Sequence, residues 1–150
     1  MQENLEKSTY ICNKLTKTVT KAVPPHTKNT MEMKTILVAE DNDSNFILMT
    51  YILKRKYQIV RATNGQEAVE RVKQGGIDLV LMDIKMPIMD GLEATKLIKD
   101  EFPDLPVVAL TANAFDSDRR LAKEAGCNDF LSKPVSSEGC LQTVANLLGE

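Results

Sequence analysis

Leu79-Val80-Leu81-Met82-Asp83-Ile84-Lys85-Met86-Pro87-Ile88-Met89-Asp90-Gly91 decides how the rest of the chain is read. It begins as an apolar run with a β-branched valine, the pattern of a strand buried on both faces. Asp83 ends that run, Pro87 marks a turn, and Asp90-Gly91 opens a helix. A carboxylate where a buried parallel strand leaves the core stands where open α/β sheets carry their chemistry. Taken alone, Asp83 is equally well a residue that starts a loop. Its meaning depends on what else converges on the same rim.

Outward from this stretch the pattern is regular. Residues 35–39 form a short apolar, β-branched run, and the loop 40–44 supplies helix-capping side chains. Phe46, Met49, Ile52 and Leu53 come next at helical spacing. Residues 58–62 read as a second strand. Asn64 with Glu67 three residues later is a capping-box-like start to a helix through about residue 73, which Gly75-Gly76 stops. The central strand spans 78–82. A third helix runs from 92 to about 100 with Leu97 and Ile98 facing inward. Pro103 and Pro106 bracket a loop before a fourth strand at 107–110. A helix at about 117–125, with Leu121 and Ala122 inward, ends at Gly126, and 129–131 is a short fifth strand. Leu141, Val144, Ala145 and Leu148 then match i, i+3, i+4 and i+7 of a last helix. Five strands alternating with five helices imply right-handed crossovers and a parallel sheet covered on both faces. Few residues remain after the fifth helix, so no DNA-binding output domain is expected.

The chain has 150 residues, enough for one domain with a substantial core, and 43% hydrophobic against 27% charged residues reads as globular. A formal net charge of −2 argues against non-specific nucleic-acid binding, which needs a basic face. Cys12, Cys127 and Cys140 are odd in number and lack CxxC spacing, so they read as reduced thiols. No apolar run approaches the length of a membrane span and no secretory segment is present, so the expected compartment is the cytoplasm. A membrane-bound parent or partner is compatible with that reading. Residues 1–32 differ from the rest of the chain: rich in Thr and Lys, with Pro24-Pro25 and only a weak stripe of Leu5, Ile11, Leu15 and Val19. They are expected to be a flexible leader or linker, and the only histidine, His26, is read there as inert.

In such a sheet the strand carboxyl ends share one edge. Glu40 and Asp41 arrive there from the first strand, Asp83 from the third, Thr111 from the fourth and Lys133 after the fifth. Each has a plain alternative: a capping preference for the acidic pair, a strand-end hydroxyl for Thr111, a solvated loop lysine for Lys133. The conjunction is what matters, because none of the strand ends is adjacent in sequence. Three acids in close quarters repel, and a divalent cation holds them together. Oxygen-only ligands favour a hard ion, Mg²⁺ over Ca²⁺ when few protein ligands leave room for water and a phosphoryl group. Zinc would want His or Cys there. A carboxylate beside Mg²⁺ can attack a phosphoryl donor, with Lys133 and Thr111 answering two of the transferring oxygens and the metal a third.

Leu-Val-Ala-Glu-Asp-Asn-Asp-Ser-Asn at 37–45, Met-Asp-Ile-Lys-Met-Pro-Ile-Met-Asp-Gly at 82–91, Ala-Leu-Thr-Ala-Asn-Ala at 109–114 and Phe-Leu-Ser-Lys-Pro-Val at 130–135 resemble response-regulator receiver domains. The wording is most similar to receivers of hybrid sensor histidine kinases. The resemblance covers about residues 34–149 and implies a flavodoxin-like (βα)₅ fold with strand order 2-1-3-4-5, occupying 33–150. It implies Asp83 as phosphoacceptor, and Mg²⁺ on Asp41, Asp83 and the Lys85 backbone carbonyl, with Glu40 assisting through water. Glu at 40 stands where Asp is commoner, a tolerated variant. Thr111 and Phe130 become the switch pair, Lys133-Pro134 a cis peptide, and Lys85 and Asn113 the positions that tune phosphoryl lifetime.

The implied function is a phospho-accepting switch of a two-component or phosphorelay system. A histidine kinase or histidine phosphotransfer protein would donate, and the face of the fourth helix, fifth strand and fifth helix would meet the output partner. The chain is either free-standing or the receiver portion of a hybrid kinase, with the leader as linker. One rival is an aspartyl-nucleophile phosphatase, which wants a second acid two residues past the nucleophile, where this chain has Lys85. Another is an FMN-binding module, whose phosphate the acidic loop Glu40-Asp41-Asn42-Asp43 would repel.

Overall fold

The computed structural model describes residues 33–112 and 116–150, and Lys34–Glu150 forms one compact unit. In chain order the elements are β1 (Thr35–Ala39), α1 (Asp43–Leu53), β2 (Gln58–Ala62), α2 (Gly65–Lys73), β3 (Leu79–Asp83), α3 (Gly91–Glu101), β4 (Val107–Thr111), α4 (Asp116–Ala125), β5 (Asp129–Ser132) and α5 (Ser137–Leu148). All neighbouring strands pair in parallel in the order β2-β1-β3-β4-β5, the flavodoxin-like order expected. The chain leaves β1 toward β2 and then crosses to β3 on the other side. The connections after β1 and β3 therefore diverge and leave a crevice at their carboxyl ends.

Side chains alternate across each strand. Ile36, Val38, Leu79, Leu81, Val108 and Leu110 face Met49 and Leu53 of α1 and Cys140 and Val144 of α5. Leu37, Ala39, Val80, Met82 and Val107 face Ala68, Val69 and Val72 of α2 and Ala94 and Ile98 of α3. Helices on both faces explain why the strands read as unbroken apolar runs and not as alternation.

The helices start where a side chain accepts an otherwise unpaired amide. Asn42, Asn64, Asp90 and Ser136 accept from the backbone N–H three residues on, at 2.8–3.1 Å. The return bond from Glu67 goes one residue further back than a capping box predicts: its Oε1 accepts from Thr63 N at 2.7 Å and Thr63 Oγ1 at 2.8 Å. Gly75 and Gly76 take φ of 89° and 83°, backbone that stops α2 as expected.

Two inward assignments fail. Leu97 is 42% exposed and Leu121 45% exposed. α3 buries Gly91, Ala94, Thr95 and Ile98, which leaves Leu97 on its flank. The buried pair on α4 is Ala122 and Ala125, and Leu121 is rotated by about 100° from Ala122. Strand ends differ as well, at both ends of β3 and at the carboxyl ends of β4 and β5. The ladder carries β3 through Asp83, opposite Leu110, and β4 through Thr111, opposite Ser132. Asp78 stays outside β3 because its carboxylate accepts from Thr35 N at 2.8 Å. The leader 1–32, with Cys12 and His26, and Asn113 lie outside the described residues. Among the described residues no helix is long and apolar enough to cross a membrane.

Candidate functional site

The carboxyl ends of four strands meet around a cleft of about 270 Å³, lined by Glu40, Asp41, Asp83, Lys85, Thr111 and Lys133 among others. Asp83 is the last residue of β3 and only 6% exposed. Its backbone is fixed from two sides. Ile84 N donates to Leu110 O at 3.1 Å, and Gly91 N donates to Ile84 O at 2.8 Å. A side chain at 91 would collide with the Asp83 carbonyl oxygen, so only glycine lets α3 begin this close to the strand. Between them, Ile88 holds φ of 69° with its side chain 83% exposed, a costly conformation for a β-branched residue.

The acidic loop after β1 is tied down from β2. Arg61 donates through Nε and Nη2 to the Glu40 carbonyl at 3.2 and 3.1 Å, and its Nη2 pairs with Asp43 at 2.8 Å. The same guanidinium lies 4.6 Å from the centre of the Phe46 ring. Glu40 is 1% exposed, and Asp41 is exposed. Lys133, just past β5, bridges the two buried acids: its Nζ lies 3.0 Å from Glu40 Oε1 and 3.1 Å from Asp83 Oδ2. Its backbone N–H donates to Thr111 O at 2.8 Å, and the Lys133-Pro134 bond is cis as expected. The contact to Glu40 Oε1 is one of charge; that buried oxygen lacks a partner of hydrogen-bonding geometry.

Burial, then the adjacent Glu40 carboxylate, pushes the Asp83 carboxyl up to about 6, against the pull of Lys133. Burial draws the Lys133 ammonium down, but its pairing with the Glu40 and Asp83 carboxylates outweighs it and the net direction is up. Oxygens of Glu40, Asp41 and Asp83 all lie within 4.8 Å of one another. One ammonium against three carboxylates leaves the cluster net negative. An all-oxygen donor set that stays net negative after its ion pairs with Lys133 fits a hard divalent cation. Lys85 runs past the same cluster, its N–H donating to Asp83 Oδ1 at 3.4 Å.

Glu40, Asp41, Asp83, Lys85, Thr111 and Lys133 all line the cleft, and Phe130, expected as the switch partner of Thr111, lies half-buried on β5 beside α4. Arg119 sits 4.5 Å from the centre of its ring. Thr111 is 4% exposed, and its Oγ1 donates to Asp118 Oδ2 at 3.0 Å. Asp118 and Arg61 were not singled out in the sequence. Asp118 carried a signal: it lies four residues before Ala122, so it shares the helix face that Ala122 buries. Arg61 carried none, since a charged residue near the end of an edge strand is ordinary.

Residues 36–145 match the model of the response regulator receiver domain. The chain belongs to the response regulator receiver family. It is 36% identical over 120 residues to the polar-differentiation response regulator DivK of Brucella anthropi, covering 78% of this chain and 98% of that protein. Among solved structures it resembles the receiver domain of the sensor histidine kinase PA1611 of Pseudomonas aeruginosa, which has a magnesium ion coordinated in its active-site cleft. There the identity is 31%, the TM-score 0.74, and the coverage 79% of this chain and 99% of that one. The receiver domain of Saccharomyces cerevisiae Ssk1, solved with the histidine phosphotransfer protein Ypd1, gives 34%, a TM-score of 0.73, and 77% and 88%. The chain is thus a regulatory receiver domain of the two-component type.

Proposed function

We propose that residues 33–150 form a cytoplasmic phospho-accepting switch whose acceptor is Asp83, loaded by a histidine kinase or a histidine phosphotransfer protein. The observation that carries this is the Lys133 bridge between two buried acids, one of which ends the central strand. An Asp83 oxygen attacks phosphorus while the P–N bond to the donor imidazole breaks. The electron pair goes to the ring nitrogen, which takes a proton from solvent. Water later hydrolyses the acyl phosphate, returning the carboxylate and inorganic phosphate. With its carboxyl near 6, Asp83 is mostly ionised at neutral pH and poorly solvated, as a nucleophile requires.

Asp41, Asp83 and the Lys85 carbonyl, with Glu40 through water, would hold Mg²⁺. When bound, the ion neutralises charge on the phosphoryl oxygens. Lys133 offers its charge to one of those oxygens and Thr111 its hydroxyl to another. Thr111 and Phe130 then act as the switch pair, Lys85 and Asn113 tune phosphoryl lifetime, and the α4–β5–α5 face meets the output partner. The Ypd1–Ssk1 pair supports the donor class. The likeness to a sensor kinase receiver favours a second context with the same chemistry: the receiver portion of a hybrid kinase, joined through residues 1–32. Lys85, two residues past Asp83, argues against an aspartyl-nucleophile phosphatase, which needs an acid there.

The test is incubation with acetyl phosphate and Mg²⁺, then intact mass. The wild type gains one phosphoryl group and Asp83→Asn gains none. Equal labelling of the two overturns the assignment.

A further inference from the structure

Two consecutive residues in the first turns of α4 each grip one member of the switch pair. Asp118 Oδ2 accepts from Thr111 Oγ1 at 3.0 Å, and the Arg119 guanidinium covers the Phe130 ring at 4.5 Å. Asp118 lines the same cleft as Asp83 and Lys133. The cleft's lysine at 133 is already shared between Glu40 and Asp83.

A threonine hydroxyl carries a single proton. It can be donated at full strength to the Asp118 carboxylate or to a phosphoryl oxygen on Asp83, and not to both. Phosphorylation and the Thr111–Asp118 bond therefore compete for one donor. Because Arg119 is the next residue on the same helix, whatever loosens Asp118 also disturbs the cover on Phe130.

We propose that Asp118 is a positioning residue acting through Thr111, and that with Arg119 it latches α4 in the unphosphorylated state. This rests on Asp83 being the phosphoacceptor. Phosphorylation moves the Thr111 hydrogen bond from Asp118 to the phosphoryl group; within the latch no covalent bond changes and no proton changes owner. Losing that bond frees the start of α4 and Phe130 together, a two-state element biased by one hydrogen bond.

The full chain is labelled with acetyl phosphate and Mg²⁺ and the rate measured by intact mass. Asp118→Ala should label about tenfold to a hundredfold faster than wild type, the scale of one lost hydrogen bond to a charged group. Asp118→Asn, isosteric and neutral, should fall between them, since its amide oxygen still accepts but more weakly. Arg119→Ala should speed labelling by about twofold to threefold, the scale of an exposed cation–π contact. In a Thr111→Val background, where the starting rate is lower, Asp118→Ala should change the rate by less than about twofold. A merely structural Asp118 would not show that dependence on Thr111. Equal acceleration in both backgrounds overturns the latch and leaves a through-space charge effect. An unaccelerated Asp118→Asn, which keeps the side-chain shape, also overturns it. Failure of the wild type to label at all overturns the phosphoacceptor reading, whereas a labelled wild type with unaccelerated variants overturns only the latch.

Discussion

Asp83→Asn should stabilise the metal-free protein at neutral pH while destroying its capacity to be phosphorylated. The carboxyl is held near 6, against an ordinary value of 3.8, first by burial and then by Glu40. Ionising such a group costs the folded state about 3 kcal/mol, at ~1.36 kcal/mol for each tenfold loss of proton affinity. The side chain is only 8% exposed, so solvent screening reduces this little. The attraction of Lys133 is already included, and the Asn amide brings its own smaller desolvation cost. A gain of about 2 kcal/mol is therefore expected, or a Tm about 6–10 °C above wild type for a domain of this size. Linkage gives the sign against pH. A carboxyl whose folded value lies above its unfolded one gives stability that is full below about 4 and is lost as pH rises through about 6. Wild type should thus approach the variant as pH falls from 6 to 4, and Mg²⁺ should close the same gap at pH 7.5 by binding the folded wild type. Thermal melts of both proteins at pH 7.5 and 4.5, with and without Mg²⁺, measure all three. An Asp83→Asn protein that melts at or below wild type at pH 7.5 without metal would refute the reasoning.

Removing the bridge should act in the opposite direction. Lys133→Ala leaves Glu40 and Asp83 facing each other without a cation, and the metal-free protein should lose about 2 kcal/mol at pH 7.5 by urea titration. Its labelling by acetyl phosphate should fall at least about tenfold while Mg²⁺ still binds; unchanged labelling would contradict the role given to the lysine. Ile88→Gly should stabilise by about 1 kcal/mol, because it relieves left-handed backbone at a side chain that contacts little. A loss of stability in the same titration would mean that the isoleucine packs in a way its 83% exposure denies.

The strands were legible because burial on both faces leaves a plain code, Leu79 to Met82 being apolar throughout, as are 107–110, whereas their order came only with the resemblance to receiver domains. Helix starts were legible because Asn42, Asn64 and Asp90 perform a local task, three residues from the amide they satisfy. What failed was the choice between neighbouring apolar residues on one helix. Leu97 and Leu121 are more hydrophobic than Ala94 and Ala122, yet the alanines are buried, since the buried stripe is set by helix phase and not by residue size. The site was legible in its first layer because Glu40, Asp83, Thr111 and Lys133 each lie at or just past the end of a strand, and topology alone gathers strand ends. Arg61 and Asp118 were not, because their partners lie on other elements: Arg61 meets a backbone carbonyl on the neighbouring strand's loop, and Asp118 reaches from α4 to Thr111. Pairings of that kind exist only once the chain is folded.

The central claim is that the phosphoryl group resides on Asp83. Treating the labelled protein with borohydride reduces an acyl phosphate to an alcohol, and an aspartate so trapped becomes homoserine. Peptide mapping should find homoserine at position 83 alone. Homoserine at Asp41 or Asp118, or a labelled protein that traps nowhere, would contradict the account.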